Sequence, residues 1–195
     1  HKNKYCMKAC KNIYNKPRHI AEMEQDIHIA MMKLVTEEID VAEIYSPPRV
    51  ARRAKELGLK AGWSLDLTTK DKDGKHWDFS KNELRQRAIA KIKRDKPLLI
   101  IGSPMCTDWS PMMNFNWEKL GPAEKERRLK AARKHLRFCV KIYKIQAESF
   151  RYFLHEQLAR AMSCKELAIQ RMIRKEKNIL TQLDQCRYGL WIKDK

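Results

Sequence analysis

No long apolar run occurs in this sequence. None approaches the roughly 18 residues that span a bilayer, so no membrane partner is expected. Glycine and proline are scarce, six and seven in 195 residues, which excludes collagen-like and low-complexity classes. There is no CxxC pair: the cysteines stand at 6, 10, 106, 139, 164 and 186. Zinc sites want ligands paired roughly two to four residues apart, so no metal is expected. A chain of this length needs no disulfide framework, and reduced thiols in an intracellular setting, nuclear or cytoplasmic, are the reading. Acid is missing from residues 1–19, where Lys2, Lys4, Lys8, Lys11, Lys16 and Arg18 make a basic arm. No signal-peptide pattern is seen, and a start at His1 reads as a fragment or a processed piece.

What the sequence holds in excess is positive charge. Lys and Arg number 42 against 24 Asp and Glu, a net charge of +18. Such an excess favours polyanionic partners through counterion release, nucleic acid above all. The alternative is a basic chain that is merely soluble, or one that belongs to a larger assembly.

Periodicity divides the rest into alternating elements. Residues 20–37 space Ile20, Met23, Ile27, Met31 and Leu34 as a helix. A strand at 40–45 stops at Pro47 and Pro48; "RVARRAKELGL" follows as a helix with a Gly58 stop. "AGWSLDLTT" is a strand ending at Asp66, and "KDKDGKHWDFS" a polar loop. "KNELRQRAIAKIKRDK" is an amphipathic helix, and "PLLIIGS" an apolar run of the kind parallel sheets bury on both faces. A long helix begins near Pro122 and carries nine basic and two acidic residues between Glu124 and Lys144. "RYFLHE" is a strand, "CKELAIQRMIRKEK" a helix, and "NILTQLDQCRYGLWI" a last strand with a following segment. This alternation predicts an α/β fold, a mainly parallel, Rossmann-like sheet with helices on both faces. Ligands of such sheets bind beyond the carboxyl ends of the strands. There the sequence sets Glu43 and Ser46, then Asp66, then Cys106 after "LLIIGSPM", then Glu156.

The segments "VAEIYSPPRVARRAKELGLKAGWSLDLTT", "WDFS", "PLLIIGSPMCTDWSPMMNFN", "YFLHEQLARAMSCK" and "LDQCRYGL" resemble a domain of retrotransposon polyproteins that carries S-P-P-C-T, H-E-H-P and D-Q-C-x-Y-G-L. The resemblance covers roughly residues 38–191. Beyond it, strand order and two short motifs are similar to the S-adenosylmethionine-dependent methyltransferases, in particular the cytosine-C5 DNA methyltransferases. It implies one methyltransferase-like α/β domain over 20–195, truncated at its C-terminal end, behind the arm 1–19.

The implied chemistry transfers a methyl group from S-adenosylmethionine to cytosine in DNA. Cys106 would add as a thiolate to a flipped-out base, its pKa lowered by the following helix N-terminus, while Glu156 engages the pyrimidine. Asp66 would hold the cofactor ribose, with Glu43, Ser46, Ser103 and Pro104 around its remainder. Trp63 or Trp77 would pack on the adenine, or serve the core. Arg127, Arg128, Arg133, Lys134 and Arg137 would meet nucleic acid. The chain departs from the family at "SPPRV", which has no glycine, at Met105 before the cysteine, and at "HEQL". The alternative is a catalytically inactive nucleic-acid-binding or assembly module of a polyprotein or larger complex, with other segments of the polyprotein or subunits of the complex as partners and Cys106 a buried thiol at a strand end.

Overall fold

The computed structural model describes residues 10–15, 39–175 and 178–184. The helix expected at 20–37, most of the basic arm and the final "QCRYGL" lie outside the described residues. In chain order the elements are β1 (Cys10–Asn15), β2 (Val41–Ile44), α1 (Val50–Glu56), β3 (Ala61–Leu65), α2 (Asn82–Asp95) and β4 (Leu99–Gly102). Then come α3 (Asn114–Trp117), α4 (Pro122–Glu148), β5 (Tyr152–Leu158), α5 (Leu167–Lys175) and β6 (Asn178–Leu183).

The sheet order is β3-β2-β4-β5-β1-β6. Its centre is the parallel four-strand set β3-β2-β4-β5. β1 lies antiparallel to both β5 and β6. Part of the segment expected as a basic arm is therefore a strand inside the sheet.

The chain reverses direction once within the parallel set. It steps from β2 outward to β3, then returns across β2 to β4 and on to β5. Right-handed crossovers require α1 on one face and the next two long helices on the other. Strand alternation shows the division. Val41 and Ile101 pack with Ala54 of α1. Ala42, Ile44, Ile100 and Phe153 pack with Ala88 and Ile92 of α2 and Leu136 and Tyr143 of α4. Ile169 and Met172 bring α5 into this same cluster. The gap between the carboxyl ends of β2 and β4 is thus the topological switch point.

Local chemistry explains the principal supports. In α4, Pro122 at the first helical position follows an extended Gly121. Its buried stripe runs Ala132, Leu136, Val140, Tyr143. Tyr143 stacks on Phe153, centroids 4.7 Å apart, and bonds His155 Nδ1 at 2.9 Å. Gly102 lies beneath it: a Cβ there would overlap the Tyr143 hydroxyl. Gln146, fully buried, donates to the carbonyls of Pro97 and Tyr152 and accepts from Arg151 Nε. Helix, β4 and β5 are thereby fastened at their far end.

Candidate functional site

β2 ends beneath α1. Glu43, 1% exposed, accepts from the Ala51 amide at 2.7 Å. It satisfies one of the orphan donors at the start of α1, a helix with no acid in its own first turn. Tyr45 follows in the left-handed region, φ 59°. Its ring holds it there, set among Phe79, Phe138 and His135, with its hydroxyl 2.9 Å from His135 Nδ1. Such a conformation costs roughly 1–2 kcal/mol and persists only where the surroundings fix it. Burial also pushes ionisation of Tyr45 upward.

The turn after β2 is closed on itself. The Tyr45 amide donates to the Leu65 carbonyl at 2.9 Å and the Arg49 amide to Pro47 at 2.6 Å. Pro47 and Pro48 have no N–H. Ser46, nearly buried, donates its hydroxyl to the Pro47 carbonyl, and its own carbonyl accepts from Ser64 Oγ. On the other side of the switch point, the Ser103 amide donates to Ile44 at 3.1 Å. The Pro104 carbonyl accepts from Gln157 Nε2 at 2.6 Å. One strand outward, Asp66 Oδ1 accepts from both the amide and the hydroxyl of Thr68 at 2.9 and 2.7 Å. This is an Asx turn.

Cys106 is half-buried and flanks a three-residue 3-10 turn, Thr107–Trp109. The turn is pinned by the buried Trp109 and by the Asp108–Arg128 ion pair at 2.6 Å. It supplies no α-helical N-terminus to lower the thiol pKa. Instead, burial pushes the Cys106 thiol upward; a backbone hydrogen bond opposes this in part, and the Glu156 carboxylate adds a smaller upward push. The structure thus brings Cys106 and Glu156 within electrostatic reach, while favouring the neutral thiol.

The basic residues of α4 fall into two sets. Arg127 forms a fork with Glu124 at 2.6–2.7 Å. Arg128 pairs with Asp108 and lies 5.6 Å from the centre of the Trp117 ring. Arg133 reaches Glu166 at 3.2 Å and Glu126 at 3.6 Å. Lys134 and Arg137 are exposed. Past that point, Arg137, Lys141 and Lys144 of α4 face Arg171 and Arg174 of α5 across a groove of about 700 Å3. Val140, Ala168 and Met172 also line it.

All five expected cofactor residues therefore stand at or beside the carboxyl ends of their strands. Ser46, Ser103 and Pro104 flank the switch point, while Glu43 turns to α1 and Asp66 sits on the outer side. Sequence reasoning did not single out Gln157, which ties β5 to the β4 exit, nor Lys141 and Lys144, which continue the α4 basic stripe past Arg137. The latter had a visible signal in the i, i+4, i+7 spacing of Arg137, Lys141 and Lys144. Among the described residues no His, Cys, Asp and Glu cluster fit for a metal occurs. No helix among them is long and apolar enough to cross a membrane.

S-adenosylmethionine needs donors for its carboxylate and a carboxylate acceptor for its ribose. Around the switch point the Tyr45, Arg49 and Ser103 amides already donate within the chain, and two positions are proline. Asp66 Oδ1 and Glu43 Oε1 each accept from the backbone. The backbone donors named here are thus engaged within the chain, while the hydrogen bonds of Asp66 use Oδ1 alone. Comparison of the chain with protein-family models, curated proteins and solved structures finds no match in any of the three.

Proposed function

We propose that this chain is a nucleic-acid-binding module on a Rossmann-like, methyltransferase-like frame of retroelement type, acting without a methyl-transfer step at Cys106. The observation that carries this reading is how polar groups are used at the carboxyl edge. The Tyr45, Arg49 and Ser103 amides, which a methionine-type cofactor would engage, are bonded inside the chain, whereas a net charge of +18 remains for a polyanion. The resting thiol is also biased against the nucleophilic form by burial and by Glu156.

A second reading, cytosine methyl transfer, is favoured by one specific observation: the electrostatic reach between Cys106 and Glu156 from different strands. Thermal unfolding with millimolar S-adenosylmethionine or its demethylated product separates the two. The binding module shows no rise in melting temperature and forms no adduct with DNA containing 5-fluorocytosine. Its oligonucleotide affinity falls steeply with salt and is unchanged by Cys106→Ser. A saturable rise in melting temperature, with a covalent adduct lost in Cys106→Ser, would establish the second reading instead.

A further inference from the structure

We infer that the groove between α4 and α5 holds the backbone of a single nucleic-acid strand. This rests on the nucleic-acid reading above and locates the contact. Arg137, Lys141 and Lys144 lie at i, i+4 and i+7, a straight stripe along about 10 Å of α4. Arg171 and Arg174, at i and i+3, line the opposite wall.

All five side chains are exposed, and among the described residues none makes an ion pair. Half a helix away, Arg127, Arg128 and Arg133 each have an acidic partner. Five like charges around one cleft repel one another, and an anion between them relieves that repulsion. The occupant that fits is therefore polyanionic and elongated.

The floor decides which polyanion. Val140, Ala168 and Met172 present apolar surface between the charged walls. A single strand offers sugars and unpaired bases to such a floor while its phosphates meet the rims. A duplex hides its bases and is wider than the cleft between packed helices, whose axes lie about 8–10 Å apart. The lining contains no aromatic ring, so sequence-tolerant recognition is expected, governed by salt more than by base identity.

Fluorescence anisotropy with labelled oligothymidylate, oligouridylate and a mixed-sequence duplex tests the assignment. Binding of one or both single strands in preference to the duplex is expected, and the two single-strand arms distinguish DNA from RNA. In Lys141→Glu/Arg171→Glu, affinity at low salt falls about tenfold and the log–log salt slope flattens by about 1.4, two contacts at about 0.7 each. A control, Lys55→Glu/Lys93→Glu, carries the same charge change on α1 and α2 and shifts affinity less than about twofold. Where charge reversal unfolds the chain, Lys141→Gln/Arg171→Gln is read, with the same change of slope.

Equal losses in groove and control variants would overturn the groove while leaving the nucleic-acid reading intact. Preference for the duplex, or for phosphatidylserine vesicles over both oligonucleotides, would also overturn it. No binding to any oligonucleotide would remove both readings.

Discussion

His155 lies on the α4 face of β5, 1% exposed, with Tyr143 on Nδ1 and, among the described residues, no hydrogen-bond partner on Nε2. Burial pushes its pKa down to about 4. An unfolded histidine titrates near 6.5. Above that pH neither state gains a proton; between about 6.5 and 4 the unfolded chain does and the folded chain does not. Stability is therefore fully present above pH 6.5 and falls as pH drops toward 4, by about 3 kcal/mol at most. His135, whose pKa is also lowered chiefly by burial, adds to the same trend. Denaturant melts from pH 7.5 to 4 should show the slope, and His155→Gln should flatten it; a flat wild-type profile would contradict a neutral buried ring. Cys106 offers a second residue-level reading. Glu156→Gln removes a negative charge that opposes thiol ionisation. Peptide-resolved alkylation at pH 7.5 should then label Cys106 faster than in the wild type, with Cys139, fully buried, silent in both. An unchanged or slower rate would mean the carboxylate does not act on the thiol. At Gly102, a side-chain carbon would strike the Tyr143 hydroxyl. Gly102→Ala should cost about 1–3 kcal/mol in a denaturant melt, and Gly102→Ala/Tyr143→Phe should recover part of it.

At the scale of elements, the helices were the legible part. α2 shows Leu84, Ala88 and Ile92 at a spacing of four, and ends where Lys96 turns left-handed before Pro97. α4 announces itself by Pro122 and its apolar stripe. These signals are local, and local signals survive in sequence. The buried strand β4 was legible for the same reason, as an uninterrupted apolar run. β1 was not: "CKNIYN" lies in a lysine-rich stretch, and its partners are about 140 and 170 residues away in register with β5 and β6. The carboxyl-edge residues were legible as positions and only partly as roles. The Asp66 turn with Thr68 is two residues long and readable. The commitment of Glu43 to Ala51 depends on α1 folding back over β2, and that of Gln157 to Pro104 on the pairing of β4 with β5. Non-local hydrogen bonds of this kind decide whether a polar residue is spare, and they leave no mark in spacing.

For the whole molecule, the sheet joins two parts made differently. The parallel strands β2 to β5 are linked by crossover helices and share the large apolar cluster. The antiparallel margin depends on a strand from the other end of the chain, with β6 paired to β1 alone among the described strands. A chain lacking residues 1–15 loses that insert, leaving β5 as an edge and β6 without its ladder. Hydrogen exchange should show Tyr152–Leu158 losing protection while Val41–Ile44 and Leu99–Gly102 keep theirs. The groove should respond differently. Its far wall, α5, is anchored through Ile169 and Met172 into the core that α4 shares. The truncated chain should therefore keep its single-strand affinity, apart from the cations lost with the arm, and still lose about tenfold in Lys141→Glu/Arg171→Glu. Unchanged exchange in β5 would mean that the margin contributes no protection. Insensitivity of the truncated chain to the groove substitutions would place the contact on the arm, and the charge of α4 and α5 would then serve solubility alone.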